Sequence, residues 1–274
     1  SDGMLGGDML NFIPHKYGVI GAVVKDVDIT DEKSLIKFIE SQNPEIVVNC
    51  AAYTDVDGCE RNPELAFKVN AFGARNVAQA CKSIHIPLVH ISTDFVFDGT
   101  KDSPYTEEDI PNPISKYAES KLAGEHEISK VFDDYLILRT TWLYGFNDRS
   151  FVRFVKRMYK QGVAVTIYSA QRACPTYTLD FAQGMMALLA KNARGIFNLV
   201  NSSDCNRLEF VNEIFDILHY DKSKIMLMSS APQSWIAKRP VTTILSTAKY
   251  TEFTGGKMRR WQDALRDYLE KDPV

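Results

Sequence analysis

The sequence predicts an α/β protein: a parallel sheet with helices packed on both faces. Three observations predict it. Short apolar runs alternate with longer amphipathic stretches over the first two thirds of the chain. The runs are continuous and rich in branched residues, as in Ile46-Val47-Val48 and Leu136-Ile137-Leu138, which marks strands buried on both faces. The stretches between them read as helices, the crossovers that parallel strands need.

The elements follow in order. Asp2 to Phe12 opens on glycines and continues as a helix. Val19 to Val24 reads as a strand. Asp31 to Gln42 reads as a helix with Thr30 as its N-cap and Asn43-Pro44 as its stop. Ile46 to Cys50 is a buried strand. Pro63 to Ile84 is a long helix, capped by Asn62 with proline at its first position. Leu88 to Ser92 is the next strand, Ser115 to Val131 the next helix, and Tyr135 to Arg139 another strand. Between them, Phe95 to Pro113 holds Asp98-Gly99, Ser103-Pro104, Pro111 and Pro113, so it is a structured loop. Beyond Tyr144 the rhythm weakens. Strand-like Val163–Ile167 and Gly195–Val200 alternate with helices near Leu179–Lys191 and Arg207–Leu218. This half is expected to complete the sheet edge and build a small lobe over its carboxyl end, with the division at 1–145 and 146–274.

The chain has 274 residues, 45% of them hydrophobic and 24% charged, enough for a full core. A net charge of −3 and a pI near 6.0 give no electrostatic footprint for nucleic acid or an anionic membrane. No apolar run approaches the ~20 residues of a membrane span. The five cysteines are scattered and form no C-x-x-C, which suits reduced thiols in the cytoplasm rather than a disulfide frame or a zinc site. The five histidines form no H-E-x-x-H, and no metal is expected.

The most informative feature is Tyr117 with Lys121. Four residues apart on a helix, they share one face. A free tyrosine titrates near ~10, and a lysine ammonium held close favours the phenolate. Such a pair suits proton transfer to or from a carbonyl or alcohol oxygen. Spacing alone also fits a solvated surface pair. The strand ending in Ser92-Thr93-Asp94, earlier in the chain, turns the reading towards catalysis.

The start of the chain carries a second signal. Gly3 and Gly6, with Met4 and Leu5 between them, open a helix as the end of a G-x-x-G-x-x-G dinucleotide loop does. Glycine lets backbone amides approach a pyrophosphate, and the helix N-terminus favours its charge. The first glycine and the strand before it are expected upstream of Ser1. The other reading is an ordinary glycine-rich N-terminus.

In order along the chain stand Asp28-Ile29-Thr30-Asp31, Asn49-Cys50-Ala51-Ala52-Tyr53-Thr54-Asp55-Val56-Asp57, Val69-Asn70-Ala71 and Ile91-Ser92-Thr93-Asp94-Phe95-Val96-Phe97-Asp98-Gly99. Then come Tyr117 with Lys121-Leu122-Ala123-Gly124-Glu125, Arg139-Thr140-Thr141-Trp142-Leu143-Tyr144-Gly145, Cys174-Pro175-Thr176 and Arg239-Pro240. With these, the chain resembles the extended short-chain dehydrogenases/reductases, and within them the dTDP-4-dehydrorhamnose reductase family, over essentially its whole length. The resemblance implies a Rossmann-type doubly wound parallel sheet with a small C-terminal substrate-binding lobe. It implies reduction of the C4 ketone of a nucleotide-linked 4-keto-6-deoxy sugar by NADPH, with NADH possible. Thr93, Tyr117 and Lys121 would be the catalytic groups: Tyr117 the proton donor, Lys121 holding the nicotinamide ribose, Thr93 bonding the substrate oxygen. Gly3, Met4, Leu5 and Gly6 would carry the pyrophosphate. Asp28 and Ile29 would flank the adenine. Ala51, Ala52, Tyr53, Asn70 and Ser92 would line the ribose and nicotinamide side. Thr54, Asp94, Phe95, Trp142 and Arg239 would face the sugar nucleotide.

Plainer readings stay open at several of these positions. Thr93 can simply close a strand, Asp94 form a turn, Trp142 pack in a core, and Asp28 start an Asp-x-Thr turn. Arg239 can be an exposed loop charge, although a diphosphate gives a cation in this lobe a use. The chain also departs from the family pattern. Cys50 and Cys174 replace small residues, Phe95 replaces the commoner tyrosine, and Val23-Val24-Lys25 stands where an acid often marks NAD preference. Without that acid to repel a 2′-phosphate, and with Lys25 nearby, the expected preference is NADPH; the counter-readings are Asp26 or Asp28 reaching the ribose from a longer loop, and a solvated Lys25 that allows both cofactors. A sugar-nucleotide 4,6-dehydratase is disfavoured, since Phe95 occupies the place of its extra glutamate. A different class stays in play, a non-catalytic NADP-binding partner resembling the regulatory β subunit of methionine adenosyltransferase. A monomer or homodimer is expected.

Overall fold

The computed structural model describes residues 2–14 and 16–272. The described chain opens with α1 (Met4–Phe12), whose N-cap is Gly3 and whose first amides no side chain caps among the described residues. α2 (Glu32–Gln42) begins one residue later than expected because Asp31, not Thr30, is its cap, accepting from the Ser34 N–H. It ends at Asn43, in the left-handed region at φ 44°. β1 (Val47–Asn49) follows, then α3 (Val56–Arg61), capped by Asp55, and α4 (Pro63–Phe67), capped by Asn62 as the sequence suggests. The helical path runs on through a wide π turn at Lys68–Gly73 into α5 (Ala74–Ser83). The expected long helix is thus one path with a break in its hydrogen-bond register.

β2 (Leu88–Thr93), α6 (Lys116–Val131) and β3 (Tyr135–Thr140) stand where the sequence puts them, within a residue. The second half gives β4 (Leu143–Tyr144), α7 (Phe151–Lys160), β5 (Val165–Ile167), β6 (Arg172–Ala173), β7 (Thr176–Tyr177) and α8 (Thr178–Leu189). It closes with β8 (Gly195–Asn198), β9 (Cys205–Asn206), α9 (Arg207–Ile217), β10 (Ile225–Leu227), α10 (Ala248–Thr254) and α11 (Trp261–Lys271). α9 starts on a full capping box between Asn206 and Glu209.

Among the described residues the main sheet has the order β1-β2-β3-β8, all parallel. Alternation along each strand sends side chains to opposite faces. Leu88 and Ile137 pack with Leu35, Val77 and Ile128, from α2, α5 and α6. Val89, Leu136 and Leu138 pack with Met9, Phe181 and Met185, from α1 and α8. Both faces are therefore covered, which makes the sheet doubly wound in the Rossmann manner. β8 comes from the second half of the chain, so the halves interleave. A separate aromatic core, with Tyr144, Tyr177, Phe210, Trp261 and Tyr268, knits α7, α9 and α11 together.

One expected element is absent. Val19 to Val24 forms no strand: Val19, Ile20 and Val24 are exposed at 40, 59 and 69%. A strand exists through its neighbour's amides and carbonyls. Among the described residues no strand lies beside this segment, and it ends instead in a turn where the Asp26 carboxylate accepts from the Val23 N–H at 2.8 Å.

Candidate active site

α6 supplies the two expected groups from its first turns. Ser115 caps the helix by accepting from the Ala118 N–H at 3.3 Å, which fixes where the helix starts and so where Tyr117 stands. Gly124 lets the helix sit close to the π turn, since a Cβ there would meet the Asn70 carbonyl oxygen at 2.3 Å. The carboxyl end of β2 brings up Thr93 and Asp94. The Phe95 ring meets the Tyr117 ring edge to face at 6.0 Å.

Burial pushes the Tyr117 hydroxyl well above its ordinary value. The Thr93 hydroxyl works against this and the Asp94 charge works with it. The lowering expected from Lys121 is not what the fold produces. Lys121 is 2% exposed, and its nitrogen is turned to the sheet, 2.7 Å from the Ile91 carbonyl and 3.2 Å from His90 Nε2. Shared helix spacing places the two side chains on one face; the buried acceptors decide where the lysine points. Burial lowers Lys121 to about 8 against the pull of Glu125.

Thr93 donates to Asp94 Oδ1 at 3.1 Å and accepts from the Phe95 N–H. Asp94, 2% exposed, also accepts from Thr243, and burial raises it to about 6. Ser92 is tied to α6: it donates to Glu125 Oε1 at 2.5 Å, and Glu125 pairs with Arg139 at 2.6 Å, both 2% exposed. Asn70 is a brace. Its oxygen accepts from the Tyr53 N–H at 2.7 Å, while its amide nitrogen donates to the Tyr53 carbonyl and Ser120. That braces the loop of Ala51, Ala52, Tyr53 and Thr54 against α6, with Ala51 and Thr54 left exposed.

The remaining candidates are spread more widely. Gly3 has open space where a side chain would stand. Met4, Leu5 and Gly6 form the first turn of α1, with Leu5 packed into the core. An anionic group fits these uncapped amides. Asp28 makes the plain turn, accepting from the Thr30 N–H at 2.8 Å, and Ile29 packs on the cluster of α2 and α5. Lys25 is exposed. Arg239 is neither an exposed charge nor a free one. Its guanidinium grips Asp57 at 2.7 and 3.1 Å and stacks on Trp235.

The cation that sequence reasoning missed is Arg207. It lies at 3.4 Å over the Trp142 ring and 4.6 Å from Phe151, and no ion pair with a carboxylate forms among the described residues. Asp94 is near enough to act on it electrostatically. Trp142 follows β3 in the left-handed region, at φ 42°. The available signal was Asn206-Arg207 with Glu209, a capping pattern that puts an arginine at the first helical position, where its charge opposes the helix dipole. Among the described residues no cluster of His, Cys, Asp or Glu suits a metal ion.

A doubly wound parallel sheet, with a threonine at the end of one strand and a Tyr-x-x-x-Lys helix beside it, defines a short-chain reductase. A family model described as the RmlD substrate binding domain matches residues 1–273. The chain belongs to that family, the dTDP-4-dehydrorhamnose reductases among the extended short-chain dehydrogenases/reductases. It is 33% identical to a dTDP-4-keto-6-deoxy-D-glucose reductase of Streptomyces niveus, over 96% of this chain and 92% of that one. A solved dTDP-4-dehydrorhamnose reductase from Clostridium acetobutylicum superposes with a TM-score of 0.93 at 34% identity, covering 99% of this chain and 97% of that one. One from Bacillus anthracis, solved in complex with NADP, also gives 0.93, at 30% identity and 98 and 96% coverage.

Proposed function

We propose that this protein reduces the C4 ketone of a dTDP-linked 4-keto-6-deoxy sugar with NADPH, in the cytoplasm. The observation that carries the reading is Tyr117: a hydroxyl that burial keeps protonated, beside Thr93 and one helical turn before Lys121. A proton donor must hold its proton until the substrate oxygen demands it. The uncapped first turn of α1 suits the pyrophosphate of NADPH, and the loop Ala51 to Tyr53, braced by Asn70, suits its nicotinamide side. When bound, that cofactor supplies the hydride for C4. Tyr117 gives its proton to the C4 oxygen, Thr93 bonds the same oxygen, and solvent restores the tyrosine. Phe95, where a dehydratase would need a carboxylate, limits the chemistry to reduction. The exposed Lys25 favours the 2′-phosphate, against its neighbour Asp26, whose carboxylate is engaged by the Val23 N–H. All five cysteines stand unpaired, which supports a reducing compartment. The test is NADPH oxidation with a dTDP-4-keto-6-deoxy sugar and identification of the product by NMR. Absence of turnover across a panel of 4-keto sugar nucleotides would sink the reading.

Arg207 suits the substrate diphosphate better than Arg239, whose charge Asp57 already neutralises. Arg207→Met keeps an apolar stem against Trp142 and removes the charge. A charged hydrogen bond contributes ~1.5–3 kcal/mol, so KM for the sugar nucleotide should rise roughly tenfold to a hundredfold with kcat little changed. An unchanged KM rules the role out.

Asp94 predicts a pH effect. Its ionised carboxylate claims the Thr93 proton and its charge holds the Tyr117 proton more firmly. Both oppose proton donation, so kcat at saturating substrate should rise as pH falls through about 6. Stability should shift the same way. Burial places the folded-state value above that of the unfolded chain, so the folded protein binds the proton more tightly and gains stability from about 6 down to the ordinary carboxylate range. Asp94→Asn should flatten the kcat inflection, and a profile that keeps it assigns that titration to another group.

A further inference from the structure

After β10 the chain leaves its own lobe and reaches across to the first half of the molecule. It is moored at both ends. The Met228 N–H donates to the Ile167 carbonyl at 2.8 Å, and the Val241 carbonyl accepts from the Arg172 N–H at 2.7 Å. Two residues further on, Thr243 bonds Asp94, the partner of Thr93. Between these moorings, among the described residues, every hydrogen bond from residues 229–239 to another part of the protein ends on Asp57.

Asp57 lies in the first turn of α3. Its Oδ1 accepts from the Ile236 N–H at 2.8 Å, the Ala237 N–H at 2.9 Å and one terminal nitrogen of Arg239 at 3.1 Å. Its Oδ2 accepts from the other terminal nitrogen at 2.7 Å. Such a two-pronged contact is strong and fixes orientation as well. The Arg239 guanidinium holds the Asp57 carboxyl well below the usual carboxylate range, against its burial, so the tie stays charged. α3 also touches the chemistry from the other side. Glu60 accepts from the N–H of Lys116, the residue before Tyr117, at 2.8 Å. The catch therefore sits beside the helix that carries Tyr117, and one mooring sits beside Thr93.

The segment has little else to hold it. Ser229-Ser230-Ala231-Pro232-Gln233-Ser234 is small and polar, and all but Pro232 are exposed. Trp235 turns back on the Pro232 carbonyl at 3.0 Å and meets Tyr168, of its own lobe, edge to face at 5.8 Å. A stretch with so few buried contacts opens easily unless a specific tie closes it.

We propose that Asp57 is a positioning residue: it fastens residues 229–239 as a strap across the sugar-nucleotide site, and release of this catch lets the sugar nucleotide in and out. The role at the site rests on the reductase reading; the catch itself does not.

Limited trypsin digestion of the full chain tests the catch directly. Lys238 is exposed, next to the clasped Arg239, and a protease needs an opened segment to cut there. In Asp57→Ala and in Arg239→Gln, cleavage after Lys238 should be at least about tenfold faster, with other sites unchanged. The double variant should be no faster than the faster single one, because both changes remove the same tie. Added dTDP should slow the cut in the parent. The KM for the keto sugar nucleotide should rise roughly tenfold in each variant, with the KM for NADPH unmoved and kcat no lower. Cleavage no faster in either variant overturns the catch. Faster cleavage without shielding by dTDP and with an unmoved KM makes the tie structural only and overturns its role at the site. Should Asp57→Ala fail to fold, Arg239→Gln decides, since it alters the strap and leaves α3 intact. If the parent reduces no keto sugar while dTDP still shields Lys238, the reductase reading fails and the strap stands.

Discussion

Replacing Tyr117 by phenylalanine should leave a folded protein that binds NADPH and reduces its ketone ~10²–10⁴-fold more slowly, the usual contribution of a positioned proton donor. The substitution removes one oxygen. The ring keeps its edge-to-face contact with Phe95, and the cap at Ser115 that places the helix is untouched. Lys121 stays tied to Ile91 and His90 in the helix turn that follows, so the cofactor side should be intact. Water can still reach the ketone oxygen as a poorer donor, which is why a residual rate is expected rather than none. Steady-state kcat, with NADPH binding followed by fluorescence, makes the measurement. A near-parental kcat would remove Tyr117 from the chemistry altogether.

The second large effect is on stability. Glu125→Ala should cost about 3–5 kcal/mol, because it strands the Arg139 guanidinium inside the protein. Glu125 receives Arg139 through Nε at 3.1 Å and a terminal nitrogen at 2.6 Å, and Ser92 as well. All three are buried, so water cannot replace what is lost. A domain whose whole stability is ~5–15 kcal/mol would feel this as a large drop in its urea midpoint. The exposed pair of Lys130 with Glu127 is the contrast: Glu127→Ala should change stability by no more than ~0.5 kcal/mol. Replacing Glu125 and Arg139 together by leucine and methionine should recover much of the loss. Equal midpoints for the two single alanine variants would show that the buried pair is not the tie described.

How far these features could be read in advance follows from the range of the forces involved. α6 and its two groups were legible because a helix announces itself locally, through Ser115 and the spacing of Tyr117 and Lys121. The buried strands were legible from their own apolar runs. Val19 to Val24 has the same composition and fails as a strand, since a strand is a property of two segments and the sequence of one says nothing of its partner. The cations show the same limit. Nothing near Arg239 or Arg207 tells which is neutralised; Asp57 lies 182 residues before Arg239 in the chain and meets it only in the fold. The direction of Lys121 is likewise decided by a histidine on another element.

The wide turn at Lys68–Gly73 has a further consequence, one of rotational phase. Each residue of an α-helix advances the side-chain direction by about 100°, and a π turn inserts an extra residue into that count. Upstream of the turn the helix presents Ala66 to the interior; downstream it must present Ala74, Val77, Ala78 and Cys81 to the sheet while Asn70 reaches Tyr53 and Ser120. Deleting one residue there would restore a regular helix almost unchanged in length. It would also turn either Asn70 or the whole apolar stripe of α5 by more than a quarter circle. The chain can shorten at this place only by giving up the orientation of one side of the joint.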